Sequence, residues 1–140
     1  MSKKVFVSFD YDNDKHYKFL MQAWSANSNF DFVFDDHSTK EIKSEDISRV
    51  RAALTKKIND ADYTLVLVGK EANVQHADHE EIGSRNWINF EVKQSKANNN
   101  KLIGVKLDSS NTSPDELLGS GASWAMSFTE INIIKALNEA

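Results

Sequence analysis

Short apolar, β-rich runs alternate with helically spaced apolar positions along almost the whole chain. The first run, Val5-Phe-Val-Ser-Phe9, gives way to the acidic turn-forming segment Asp10-Tyr-Asp-Asn-Asp14. Tyr17, Leu20, Met21 and Trp24 then recur at helical spacing, and Asn13 or Asp14 is suited to cap the helix they predict. Phe30 to Phe34 reads as a second strand, and Asp35 to Glu41 as a polar loop without periodicity. A second helix is predicted to begin at Ser44. Ile47, Val50, Leu54 and Ile58 form its apolar stripe, and Asp46 in its first turn complements the helix dipole. Asp62 to Val68 is the most hydrophobic run; a strand buried on both faces loses polar alternation, so this one is central.

A long polar segment, Lys70 to Arg85, leads into a helix carrying Trp87 and Glu91 that ends near Asn98 to Asn100. Lys101 to Leu107 is a fourth strand. Asp108 to Ser123 is loop-rich and holds Pro114, the one proline of the chain. Trp124 to Phe128 reads as a short fifth strand, and Thr129 as the cap of a last helix through Ile131, Ile134 and Leu137. This alternation predicts an α/β fold: a parallel five-stranded sheet between two helical layers, flavodoxin-like, with strand order 2-1-3-4-5. No linker, repeat or low-complexity block divides the 140 residues, which read as a single domain.

Composition narrows the function classes. With 40% hydrophobic and 27% charged residues, the chain suits an ordinary globular protein rather than a disordered one. A formal charge of −4 argues against a broad basic face for nucleic acid. Lys40, Lys43, Arg49, Arg51, Lys56 and Lys57 cluster in sequence and read as a solvated helix face. Without cysteine there is no disulfide, thiolate zinc site or cysteine nucleophile. No apolar run approaches the ~20 residues of a membrane span and no signal peptide is evident, so a cytoplasmic protein is expected.

The stretch Tyr63 to Gly69 followed by Ser84 to Val92 is the richest in chemistry. A buried strand ends at a glycine, and the helix beyond the polar loop carries Trp87 and Glu91 four residues apart, on one face. A carboxylate is thus held beside an aromatic near the C-terminal edge of a parallel sheet, where ligands of such sheets bind. The loops after the first three strands converge there, bringing Ser8 to Asp12, Asp35 to Lys40 and Gly69. Asp10, Asp12 and Asp14 resemble a metal cluster, but acids are favoured at a helix N-terminus in any case. His76-Ala-Asp-His79-Glu80-Glu81 matches no closed zinc spacing and reads as surface. No metal site is expected. Gly-x-Ser-x-Gly, Gly-x-Gly-x-x-Gly and P-loop patterns are absent, which removes a conventional hydrolase elbow, dehydrogenase or NTPase. A phosphoacceptor receiver would need an aspartate where this chain has Val68-Gly69, and a flavin domain would need a phosphate loop.

Two segments resemble the TIR domain family. Val5 to Asp10 is similar to its first-strand box, and the order strand, Ser84, Trp87, Glu91 is similar to the region holding the catalytic glutamate of its NAD-cleaving members. Within the family the chain looks most like the compact, stand-alone ThsB-type proteins of Thoeris antiphage systems. The resemblance implies Glu91 as catalytic residue, with Ser8, Phe9, Asp10, Tyr11, His37, Ser38, Gly69 and Trp87 lining the substrate site. NAD would be substrate rather than cofactor, and no other cofactor is implied. It further implies a cyclic ADP-ribose-type signal, a downstream effector that answers it, a phage-derived trigger and self-association, without nucleic acid or membrane partners. The alternative within the same family is a non-catalytic adaptor acting by self-association.

Overall fold

The computed structural model describes residues 3–25, 32–35 and 46–140. Five strands, β1 (Lys3–Ser8), β2 (Phe32–Asp35), β3 (Tyr63–Val68), β4 (Lys101–Lys106) and β5 (Ser123–Ala125), form one sheet in the order β2-β1-β3-β4-β5. Every pairing is parallel. The helices are α1 (Tyr11–Ser25), α2 (Ile47–Asn59), the single-turn α3 (His79–Ile82), α4 (Trp87–Ala97) and α5 (Glu130–Glu139), with a 3₁₀ turn at Asp115–Leu117. This is the flavodoxin-like order expected from the alternation of elements.

Strand side chains alternate between two cores. Val5, Val7, Phe9, Leu65, Leu67, Ile103 and Val105 face Met21 of α1 and Ile133, Ala136 and Leu137 of α5. On the other face Phe6 packs with Val50, Leu54 and Ile58 of α2 and Phe90 of α4, and Val66 and Val68 pack with Ile88 and Val92 of α4. All six residues of β3 are buried, as a strand covered on both faces should be. At the far edge Gly104 sits beside Trp124 in register, and a Cβ there would lie 2.5 Å from the indole ring. The bare backbone is what lets that large ring lie on the sheet.

Several element ends differ from the sequence expectation, for local reasons. The first helix begins at Tyr11, so neither Asn13 nor Asp14 caps it: the Asp14 amide donates to the Asp10 carbonyl at 2.8 Å, and Asn13 bonds the Asp10 carboxylate at 2.6 Å. Asp14 is therefore inside the helix, and it is buried. Asp46 is the N-cap of α2, not a first-turn residue; its carboxylate accepts from the Ser48 and Arg49 amides, and the helix begins at Ile47 instead of Ser44. Leu20 and Ile131, expected in helix stripes, are exposed; the α5 stripe is Ile133, Ala136 and Leu137. Lys18 takes the interior place on α1 instead, buried with its Nζ 5.7 Å from the Phe9 ring. The polar segment Lys70 to Arg85 is ordered by buried Ala72 and Ile82 and contains α3, which ends at Gly83 with φ +80°. The short fifth strand ends at Ala125 rather than Phe128. Thr129 caps the last helix as expected, accepting from the Asn132 amide.

Candidate active site

Three asparagines fix the start of α4. Asn86 is its N-cap: Oδ1 accepts from the Asn89 amide at 2.9 Å, while Nδ2 donates to the carbonyls of Ala72 and Val74. Asn89 Nδ2 donates to Asn73 Oδ1, and Asn89 Oδ1 accepts from the Glu116 amide. The buried amides of Asn86 and Asn89 find their partners in backbone and in neighbouring asparagines, and Asn73 also donates to Asp115 Oδ1, which fixes one arrangement and disfavours slippage. The loop after β3 is thereby tied to the helix that carries Glu91.

A second set of bonds holds α4 one turn further on. Ser95 Oγ donates to the Glu91 carbonyl at 2.7 Å, and Thr64 of β3 lies 2.6 Å from Ser95 Oγ. Since the Ser95 proton is on the Glu91 carbonyl, Thr64 is the donor of that pair. Thr64 in turn accepts from Asn100 Nδ2 at 3.3 Å. The chain of donors runs one way, from Asn100 to the backbone of Glu91.

With the helix so placed, the Glu91 side chain points at the end of β1. It is 3% exposed, and its Oε1 accepts a hydrogen bond from Ser8 Oγ at 2.7 Å. Ser8, the polar member of an apolar strand, is fully buried on the same face of β1 as Phe6. Oε2 takes no hydrogen bond from the described residues. Nor is it among the enclosed oxygens without a partner, of which Asp14 Oδ2 is the one found among those residues. The two oxygens thus differ: one is anchored by Ser8, and the other takes no hydrogen bond from the described residues. Burial pushes the Glu91 carboxyl up to about 8, with the Ser8 bond pulling the other way.

Asp14 and Gly69 meet at the same edge of the sheet. A Cβ on Gly69 would collide with the Asp14 carboxylate, so glycine is what permits α1 to sit down on the end of β3. Burial, reinforced by the negative charge of Asp10 and opposed by His16, raises the Asp14 carboxyl to about 6. Sequence reasoning placed Asp14 at a helix terminus and missed this contact; the signal available was a glycine directly after the most apolar strand.

The remaining residues named from sequence fall in different places. Trp87 is half-buried, with its ring edge-on to Phe90 at 5.6 Å, and belongs to the core around Phe6 and Leu54. Phe9 lies in the core on the opposite face of the sheet, since alternation along the chain puts it with Val5 and Val7 and away from Ser8. Asp10 precedes α1 and bonds Asn13. Tyr11 opens α1, and its side chain, with all of His37 and Ser38, lies outside the described residues. No group of three or more metal-ligating side chains is assembled among the described residues. A groove of about 680 Å³ runs between α2 and α4 past Arg51, Thr55, Phe90 and Gln94, but Glu91 does not line it.

The sequence model of the family described as Thoeris protein ThsB, TIR-like domain, matches residues 6–112. The chain belongs to this TIR-like family. The ThsB-type match takes in Ser8, Gly69, Trp87 and Glu91. The chain is also similar to a Bacillus cereus (strain MSX-D12) protein named "Putative cyclic ADP-D-ribose synthase ThsB1", 24% identical over 112 residues. That match covers 77% of this chain and 53% of the relative, so the chain spans about half the length of the relative. Among solved structures, the glutaminase domain of Trypanosoma brucei CTPS with bound acivicin matches 75% of this chain and 36% of its own, at 14% identity and a TM-score of 0.37. No helix among the described residues is long and apolar enough to cross a membrane.

Proposed function

We propose that this ThsB-type domain cleaves the bond between nicotinamide and ribose in NAD, with Glu91 as the catalytic carboxylate. The observation that carries the reading is a buried carboxylate beside the end of a parallel strand, with one oxygen anchored by Ser8 and the other without a hydrogen bond from the described residues. Nicotinamide in NAD is already cationic, so its bond to C1′ breaks with both electrons leaving on the ring and no strong acid is required. The ribose left behind has oxocarbenium character. An anion fixed beside it in a site of low polarity lowers the barrier without reorganisation. Glu91 supplies that anion once its proton has left for solvent, a loss that the cationic substrate favours.

What then attacks C1′ decides the product. Water gives ADP-ribose and a proton; a nucleophile within the same molecule closes a ring. The name of the Bacillus cereus relative supports the cyclic outcome, and the family supports a role in antiphage defence. On this reading the product is a signal to an effector protein, and a phage-derived trigger or a second copy of the chain switches the domain on. NAD is substrate, and no other cofactor enters the mechanism. His37 and Ser38, inferred from sequence as substrate-lining, remain part of this proposal, while Phe9 does not, because its ring lies in the opposite core.

The test is incubation of purified protein with NAD, with products separated by mass and retention time, beside Glu91→Gln. Nicotinamide should appear with the wild-type protein, and the variant should fold and lose ~10²–10³ in rate. Equal turnover in the folded variant removes Glu91 from the mechanism. A non-catalytic adaptor is the second reading, favoured by the exposed apolar residues Val33 on edge strand β2 and Met126 and Ile131 after β5. An absence of any NAD product under every triggering condition would support it.

A further inference from the structure

We propose that Ser8 is a positioning residue: its hydroxyl fixes Oε1 of Glu91 and thereby presents Oε2, the oxygen without a hydrogen bond, to the ribose of the substrate. This rests on the reading of Glu91 as the catalytic carboxylate. It goes beyond that reading by giving Ser8 a role through Glu91 rather than through the ligand. The hydroxyl carries a single proton, and that proton is committed to Oε1 at 2.7 Å. Ser8 can still accept a bond from a ligand, but it has no donor left to offer one.

Three observations carry the proposal. Ser8 and Glu91 are both buried, so the bond between them is not exchanged with water. The carboxylate is held at both ends of its residue, by Ser8 on the side chain and by Ser95 on the carbonyl, so the rotamer and the helix position are fixed together. Oε2 remains without a partner from the described residues. Ionisable groups on the surrounding elements are engaged elsewhere. Arg51 of α2 lies over the Phe90 ring at 5.5 Å, and Lys96 of α4 pairs with Glu116 at 2.9 Å. Across the sheet, Lys18 of α1 lies by Phe9 and Asp14 sits against Gly69. None of these contributes to the displacement of the Glu91 carboxyl, in which burial is opposed by the Ser8 bond alone. Oε2 is therefore the carboxyl oxygen that Ser8 leaves uncommitted.

The experiment is a carbon-detected NMR titration of the Glu91 carboxyl in the free protein, for wild type, Ser8→Ala and Ser8→Thr. Ser8→Ala removes one oxygen from a buried strand position and leaves the packing in place. Loss of a hydrogen bond to the charged form should move the Glu91 midpoint upward by about one pH unit. Ser8→Thr, which keeps the hydroxyl, should bring it back towards the wild-type value. With NAD as probe, the acid limb of kcat/KM in Ser8→Ala should move by the same amount, with kcat lowered more than KM is raised. A Glu91 midpoint unchanged in folded Ser8→Ala overturns the proposal, as does a shift that Ser8→Thr fails to restore while remaining as stable as wild type. Because the titration is read without substrate, a clean shift in a protein that leaves NAD intact supports the Ser8–Glu91 coupling and counts against the NAD reading.

Discussion

Glu91 is a carboxyl whose ordinary value is 4.5 and which titrates at about 8 in the fold. If its anion does the chemistry, kcat/KM should rise with pH up to about 8, since that ratio reports the free enzyme. The limb in kcat should fall lower, because a bound cationic nicotinamide favours the anion. A flat profile between pH 6 and 9 would count against the role. The same displacement bears on stability. The folded state holds the proton more tightly than the unfolded state, so this contribution is complete below about pH 4.5 and is lost as pH rises through about 8. Glu91→Gln removes that dependence. Its stability relative to wild type, followed by urea unfolding at a series of pH values, should therefore climb between pH 5 and 8, by at most ~1.4 kcal/mol per unit. Gly69 offers a second test at this scale. Gly69→Ala drives a methyl into the Asp14 carboxylate, and forced packing of this kind costs about 1–3 kcal/mol. Combining it with Asp14→Ala should recover part of that loss, a coupling that a double-mutant cycle measures directly.

Among elements, α4 is the one whose position decides the site, and it is held by side chains that also hold the loop after β3. Asn86→Ala removes a helix cap, worth about 1 kcal/mol. It also strips the donors from the carbonyls of Ala72 and Val74. The expected total is about 2–3 kcal/mol in denaturant unfolding, with turnover reduced further than stability explains because Glu91 loses its registration. Such links show why sequence reading reached some features and not others. Strand order followed from alternation of element types, because parallel strands need covered crossovers of one hand. Helix starts were read too late or too early because Asp10, Asp14 and Asp46 are chemically interchangeable as caps until the backbone chooses among them. Periodicity alone places Leu20 and Ile131 in the interior because it tolerates one extra apolar position, and an exposed leucine or isoleucine is ordinary. Lys18 was passed over for the converse reason. Ser8 and Glu91 were both placed at the C-terminal edge of the sheet from sequence, but their bond depends on how α4 lies across β1, which no local pattern encodes. Phe9 follows Ser8 directly, and strand alternation sends its ring to the far core.

For the molecule as a whole, the state described here is one in which Glu91 is nearly covered and carries a proton at neutral pH. On the proposed function, a domain resting in this state would spare cellular NAD. Turnover by the isolated protein should accordingly be slow, and should rise steeply with protein concentration, crowding or a phage component. Fast turnover per molecule, independent of concentration and without trigger, would contradict this and leave the assignment of Glu91 intact. The order Lys70 to Arg85 assumes, around Ala72 and Ile82, makes that segment a poor gate. The other loop named from sequence, from Asp35 to Glu41, extends past the described residues at the end of β2.

The first strand of this chain is the second in the sheet, and that inversion has a temporal meaning. Val5 pairs with Tyr63, and Ser8 meets Glu91 across 83 residues. On a ribosome adding ~5–20 residues per second, the serine emerges roughly 4–17 s before the glutamate it will hold. For the first part of that interval β1 lacks its inner neighbour β3, and throughout it lacks α4, the helix that carries Glu91; contacts of such long range are formed slowly. The carboxylate and its anchor can therefore come together only once α4 has been made. A nascent or truncated copy lacking α4 has no Ser8–Glu91 pair, so on the proposed function any cleavage of NAD waits on that helix.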